Sequence, residues 1–113
     1  MSPKWQNEAA KIHAALTKHL FVTWDEEDKR FLALALCGEA GELANLVKKQ
    51  WRDGFNPERR HEITMELADI RIYLELQAIA YGVDLDTICE HKLAELYKRW
   101  PDKLNSSTSA IKV

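Results

Sequence analysis

The sequence predicts an all-α fold, a four-helix bundle-like protomer with two long antiparallel helices. Apolar residues recur at the spacing of a helix, and no segment shows the alternation of a strand. The glycines and prolines stand mostly where helices would start or stop. A length of 113 residues suits one domain, and 46% hydrophobic residues suffice for a packed core. We expect the domain to span residues 1–101 and a polar, frayed tail to occupy residues 102–113.

The first two predicted helices begin at capping signals. Ser2 followed by Pro3 is a cap with a first-turn proline, and the helix reaches about residue 20. Thr23 with Glu26 three residues later is a capping-box pattern, which predicts the start of the second helix. This long helix extends to about residue 52 and ends at the glycine of residues 53–54.

The last two helices are bounded in the same way. Asn56 caps a third helix with Pro57 as its first residue, and Gly82 ends it. Apolar residues extend around more than one side of this helix, which predicts burial on more than one side and hence a homodimer or homotetramer. Asp84 caps a fourth helix, which stops before Pro101.

The charge balance and the cysteines exclude several classes of protein. The 16 basic and 18 acidic side chains leave a net charge of -2, whereas a dedicated nucleic-acid binder carries a basic excess. Cys37 and Cys89 lie far apart and form no CxxC pair, so we expect neither a zinc site nor a disulfide framework, and a reducing cytoplasm as the location. No apolar run approaches the roughly 20 residues of a membrane span, so no membrane partner is expected.

Two pairs of acidic residues interrupt the apolar pattern of the long helices. Glu39 and Glu42 lie on the second helix and Glu66 and Asp69 on the third, and the spacing of three puts each pair on one helical face. The pairs lie about 17 Å and about 16 Å from the turn, so an antiparallel hairpin would bring four carboxylates level. Oxygen ligands of this kind suit Mg²⁺, with Mn²⁺ as a substitute, better than zinc. A solvated acidic face is the structural alternative.

At these acids the sequence resembles the all-α nucleoside triphosphate pyrophosphohydrolase superfamily, the MazG-like and dCTP pyrophosphatase-like proteins. The family pattern is ExxE on one helix and ExxD on the next. Here Glu39 and Glu42 are followed, after 23 intervening residues, by Glu66 and Asp69. The similarity covers about residues 24–101, and its last ten residues resemble the closing Lys-to-Arg segment of the family.

The resemblance implies a reaction and a set of site residues. The family hydrolyses a nucleoside triphosphate between the α and β phosphates, which yields a monophosphate and pyrophosphate, and it uses magnesium. Glu39, Glu42, Glu66 and Asp69 would hold the metal, and Glu42 could also accept the proton of the attacking water. The family acts as dimers or tetramers with sites near subunit interfaces.

Three cations are candidates for phosphate contact. Lys49 shares a helical face with Glu42, although a cation in the last turn of a helix also complements the helix dipole. Lys92 and Arg99 lie two turns apart on one face of the fourth helix. The resemblance favours phosphate contact for these two over simple solvation.

Three aromatic residues are candidates for contact with the base or sugar. Trp24 or Trp51 could stack on a base, although a tryptophan is more often part of a core. Tyr73 shares the face of Asp69, where substrate contact and packing are equally good interpretations. The sequence does not decide which base or sugar is preferred.

The leading hypothesis is therefore a magnesium-dependent nucleotide pyrophosphohydrolase with a role in house-cleaning or nucleotide pool control. A non-catalytic helical dimer that binds a protein partner is one alternative, and it would leave the acids solvated. A nucleotide sensor without turnover is the other. Release of pyrophosphate in the presence of magnesium separates the three.

Overall fold

The computed structural model describes residues 5–17 and 24–106 of the chain. These residues form helices and no strand, which confirms the all-α prediction. Two of the helices are long, as the sequence predicted. The described helices are α1 (Gln6–Thr17), α2 (Glu26–Asp53), α3 (Pro57–Ala80), α4 (Leu85–Arg99) and α5 (Pro101–Ser106).

The start of α2 differs from the predicted capping box. Asp25 is the residue that caps α2, because its side-chain oxygen accepts a hydrogen bond of 3.0 Å from the backbone N–H of Asp28. Thr23, the predicted cap, lies outside the described residues, as does the predicted beginning of the first helix at Ser2 and Pro3. An aspartate two residues downstream of Thr23 can also cap the helix. A cap needs only a side-chain oxygen that accepts from the unpaired backbone N–H three residues later.

The turn between α2 and α3 follows the sequence prediction closely. Gly54 adopts a φ of 86°, and its backbone N–H donates to the carbonyl oxygen of Gln50, which ends α2. The side-chain oxygen of Asn56 accepts from the backbone N–H groups of Glu58 and Arg59 at 2.9 and 3.1 Å, and Pro57 is the first residue of α3. The short loop makes α2 and α3 an antiparallel hairpin whose helices pack along their length.

Helix α1 packs across the far end of this hairpin. The core there is formed by Ala9, Leu32 and Leu76, and the two leucines are 1% and 0% exposed. The buried carboxylate of Glu75 accepts a hydrogen bond of 2.9 Å from the side-chain amide of Gln6. Because a buried charge is costly without a partner, this bond ties α1 to α3 in one position.

Helix α4 begins where the sequence predicts and is less packed than the hairpin. Gly82, with a φ of 66°, ends the turn after α3, and Asp84 caps α4 as predicted. No residue of α4 is buried, and among the described helices α4 packs mainly against α5. Residues 102–106, placed in the frayed tail from the sequence, belong to α5, and residues 107–113 lie outside the described part. Within one protomer, α1, α2 and α3 therefore form the packed unit.

None of the described helices is both long enough and apolar enough to cross a membrane.

Candidate metal centre

The hairpin brings three of the four predicted acids together. Carboxylate oxygens of Glu39, Glu42 and Glu66 all lie within 4.8 Å of one another. Glu39 and Glu66 are partly buried, whereas Glu42 is exposed. The two helix segments meet because their distances from the Gly54 turn are nearly equal, as the rise per residue predicts.

Electrostatic crowding is visible in the pKa of Glu66. This pKa is raised above the ordinary 4.5, first because a proton on Glu66 can be shared in a hydrogen bond with Glu39. Partial burial raises it further, hydrogen bonding with Glu42 acts in the opposite direction, and the charges of Glu39 and Asp69 raise it again. The cluster therefore lacks positive charge, and a cation would relieve the repulsion.

The donor set fits a hard divalent cation. One carboxylate oxygen of Glu39 and one of Glu66 (Oε2 in each) are buried and have no hydrogen-bond partner among the described residues. Buried polar atoms are nearly always satisfied, so such oxygens need an explanation. All donors in the cluster are oxygens, which Mg²⁺ and Mn²⁺ prefer. A bound cation would satisfy both oxygens and compensate the charge.

Asp69 and Tyr73 adjoin this cluster. Asp69 is not among the three carboxylates that meet, but it lies close enough for its charge to raise the pKa of Glu66. The pKa of Tyr73 is raised above 10.0, first by burial and then by the charges of Glu39 and Asp69. Tyr73 also packs against the core under α1, so it joins the cluster to the packed unit.

The cluster lies on the same side of the hairpin as α1, which we call the front face. Phe31 packs against the core under α1, and Glu42 follows it by 11 residues, about three helical turns, on the same side of α2. On α3, Asp69 precedes the buried Leu76 by about two turns, so Asp69 also lies on this side of the hairpin. Gly38, one turn before Glu42, leaves open space, because a Cβ there would meet no atom within 4 Å.

The predicted cations are not gathered at the acids. Lys49 is partly buried near the turn, where its charge helps to lower the pKa of Asp53 after the larger effect of a hydrogen bond from Arg52. Lys92 and Arg99 both pair with Glu95 on α4, at 3.4 and 2.6 Å. The sequence analysis missed this pairing, although the spacings of three and four residues are the signal for it.

The two predicted tryptophans are also apart from the acids. Trp24 is partly buried and packs against the core under α1. Trp51 is 87% exposed, and it lines a groove on α2 together with Ala40, Leu43 and Val47. None of the acids lines this groove, so the structure does not bring Trp51 to the cluster.

A helical hairpin that gathers carboxylates from both of its helices defines the class, an all-α protein with an acidic centre suited to a divalent metal. Residues 27–104, more than half of the chain, match the MazG nucleotide pyrophosphohydrolase domain. The chain therefore belongs to the MazG family, which confirms the resemblance found in the sequence.

Curated relatives agree with this assignment. The chain is 36% identical to dCTP pyrophosphatase 1 of Homo sapiens over 94 residues, which cover 76% of this chain and 54% of that protein. It is 34% identical to dCTP pyrophosphatase 1 of Bos taurus over the same shares. The Gene 37 protein of Mycobacterium phage L5 is 36% identical over 76 residues, 65% of this chain and 67% of that protein. The chain spans about half the length of the two dCTP pyrophosphatases.

Proposed function

We propose that the protein hydrolyses a nucleoside or deoxynucleoside triphosphate to the monophosphate and pyrophosphate. The observation that carries this proposal is the meeting of Glu39, Glu42 and Glu66 across a hairpin of the MazG family. The names of the two dCTP pyrophosphatases make a deoxycytidine triphosphate the first substrate to test.

The chemistry requires one base and a positioned water. The water oxygen forms a bond to the α phosphorus, the bond from that phosphorus to the bridging oxygen breaks, and its electron pair leaves with the pyrophosphate. Glu42, the exposed carboxylate of the cluster, takes the proton that the water loses. Tyr73 borders the cluster and is proposed to orient the sugar or base.

The carboxylates of Glu39, Glu42 and Glu66 would hold Mg²⁺, with Mn²⁺ as a substitute, and Asp69 is proposed as a further ligand or a partner of those ligands. When bound, the cation would neutralise phosphate charge and lower the pKa of a bound water. The two buried oxygens of Glu39 and Glu66 that have no hydrogen-bond partner support this assignment. Mg²⁺ binding can be followed by calorimetry without any turnover.

Lys49, Lys92 and Arg99 remain proposed phosphate contacts. Lys49 needs only an extended side chain, since it lies about 10 Å along α2 from Glu42. Lys92 and Arg99 can contact phosphate only when α4 packs against a hairpin and their ion pairs with Glu95 break. Trp24 and Trp51, the proposed base contacts, have less support because one packs in the core and the other lies in a groove without acids.

Phosphorus NMR of a panel of triphosphates tests the proposal. The full chain is incubated with each nucleotide and Mg²⁺, and pyrophosphate with monophosphate should be the first products. An excess of EDTA should stop the reaction. Early orthophosphate without pyrophosphate would overturn the proposed bond cleavage. Binding of nucleotide without any product would favour the sensor, and no response to nucleotide or Mg²⁺ would favour the protein-binding dimer.

A matched pair of variants tests the role of the cluster. Glu42→Gln should lower turnover about 10²- to 10⁴-fold, the range that a general base contributes. Glu90→Gln, a change of the same kind at an exposed position on α4, should leave turnover unchanged. Equal activity of the two variants would show that Glu42 is not the general base.

The homodimer or homotetramer that the sequence predicts, and the cytoplasmic location, stay predictions at this point.

A further inference from the structure

Two buried polar side chains outside the acidic cluster join α1 to α3. Gln6 of α1 is 9% exposed, and Glu75 of α3 is 2% exposed. The side-chain nitrogen of Gln6 donates to a carboxylate oxygen of Glu75 (Oε2) at 2.9 Å and lies 3.4 Å from the backbone carbonyl oxygen of the same residue. A buried carboxylate that loses its donor is costly, so this bond strongly favours one placement of α1.

A second connection links Glu75 to the start of α1. The guanidinium of Arg71 lies 4.0 Å from the other carboxylate oxygen of Glu75 (Oε1). The same guanidinium lies over the ring of Trp5, 5.6 Å from the ring centre, and Trp5 directly precedes Gln6. The side chain of Arg71 is 58% exposed, so its ion pair contributes little to stability. The hydrogen bond from Gln6 therefore provides most of the connection.

The apolar contacts described for α1 are made by small side chains. Among the described side chains of this helix, the core contains Ala9, and Ala10 and Ala14 pack against it. Alanine buries little area, and Ala14 follows Ala10 by four residues, so a shift of α1 by one turn would put one alanine where another lies. Buried polar groups are best known for selecting one register among such alternatives. The bond between Gln6 and Glu75 forms in only one of them.

The register of α1 affects the acidic cluster through Tyr73. This tyrosine packs against the core that Ala9 of α1 helps to form. It also lies near the acids, since burial and then the charges of Glu39 and Asp69 raise the pKa of its hydroxyl. A displacement of α1 would take Ala9 out of this core, and Tyr73 would lose part of the packing that holds it beside the acids.

We propose that Gln6 and Glu75 are positioning residues, whose hydrogen bond sets the register of α1 on α3 and thereby holds Tyr73 beside the acidic cluster. Both act through Tyr73, because neither belongs to the three carboxylates that meet. The effect on turnover rests on the proposed function, whereas the register of α1 does not.

A single substitution in the full chain tests the register and its effect on turnover. Gln6→Glu would bring two carboxylates face to face in a buried site, so α1 should leave this register. Amide hydrogen exchange in Gln6–Thr17 should become about 10- to 100-fold faster. The kcat/KM for the best triphosphate of the NMR panel should fall about 10- to 100-fold, because a misplacement of about 1 Å can cause such a loss. Mg²⁺ binding by calorimetry should be unchanged, since the acids lie on α2 and α3.

Three further variants provide the controls. The double variant of Gln6→Glu with Glu75→Gln exchanges donor and acceptor, so it should recover nearly the wild-type exchange and kcat/KM. Asn7→Asp makes the same amide-to-acid change at the exposed neighbouring position and should behave as the wild type. In a Tyr73→Phe background, Gln6→Glu should cause little further loss of kcat/KM, because both changes act on one side chain.

The possible results separate a positioning role from a structural one. Faster exchange in Gln6→Glu with unchanged kcat/KM would overturn the positioning role. Equal exchange in Gln6→Glu and Asn7→Asp, no recovery in the double variant, or additive losses with Tyr73→Phe would each overturn the proposal as well. A wild type that hydrolyses no triphosphate would overturn the proposed function instead, and hydrogen exchange would then still decide the register of α1.

Discussion

The front face of the hairpin and the side opposite α1, which we call the back face, are formed by the same two helices, yet one gathers carboxylates and the other exposes apolar side chains such as Val47 and Trp51. On the front, α1 covers Leu32 and Leu76 completely, and the acids continue along the same side toward the turn. On the back, Trp51 and Leu67 are 87% and 51% exposed. The difference shows that the two sides of one hairpin differ both in charge and in how far their apolar side chains are covered.

Each part is unfavourable in an isolated protomer, for opposite reasons. The acids repel one another and raise the pKa of Glu66, which a cation would relieve. The apolar side chains order water, and another apolar surface would relieve that. The front face is therefore suited to a cation and the back face to another apolar surface, and the following experiments test this difference.

The largest effect on stability is expected from leucines on the two faces. Leu76→Ala should lower the free energy of unfolding by about 2 to 5 kcal/mol at every protein concentration, because Leu76 is fully buried. Leu67→Ala should cost less, because Leu67 is 51% exposed. Urea denaturation measures both losses of stability. An equal loss in the two variants would contradict the difference between the faces.

The next largest effect is expected on turnover when Asp69 is changed. Asp69 adjoins the cluster of Glu39, Glu42 and Glu66. Asp69→Asn should lower turnover about 10- to 100-fold, the range for residues that support metal ligands. Asp102→Asn, an equivalent change on α5, should have no effect. Circular dichroism should show the same helix content for both variants, because asparagine has nearly the shape of aspartate. Full turnover in the Asp69 variant would confine the site to Glu39, Glu42 and Glu66.

A smaller effect is expected from the titration of Glu66. Since its folded pKa is raised, the folded protein binds this proton more tightly than the unfolded chain, and stability without metal falls as pH rises from 4.5 through the raised value. Glu66→Gln should therefore melt at a higher temperature than the wild type at neutral pH in EDTA. The difference should vanish below about pH 4.5. A variant that melts lower at neutral pH would show that the carboxylate stabilises the fold.

The smallest effect is expected from two glycines inside α2. A Cβ at Gly38 or at Gly41 would meet no atom within 4 Å, so alanine should raise the stability of either variant by up to about 1 kcal/mol. Gly38 lies one turn before Glu42, and Gly41, three residues after Gly38, lies on the same side of the helix. Either alanine should lower kcat/KM if substrate approaches the backbone there. Unchanged kinetics in both variants would show that the space is unused.

Local signals in the sequence predicted the elements well. Gly54, Asn56, Pro57 and Asp84 act within a few residues of their own position. The end of α2 and the starts of α3 and α4 could therefore be predicted directly. The level meeting of Glu39, Glu42 and Glu66 was also predictable, because it depends only on equal distances from a short turn. The cap of α2 was missed because Thr23 and Asp25 are both good caps, and the sequence does not rank them.

The all-α class, the long hairpin and the residues of its acidic cluster all follow from local signals in the chain. How the faces of that hairpin are used depends on tertiary packing. Helical spacing puts Trp51 and Glu42, nine residues apart, on opposite sides of α2, but the packing of α1 decides which part of the hairpin is covered. The same holds for Lys92 and Arg99, whose distance from the acids depends on where α4 packs. Packing of separate helices depends on contacts between residues far apart in the chain, which local periodicity does not encode.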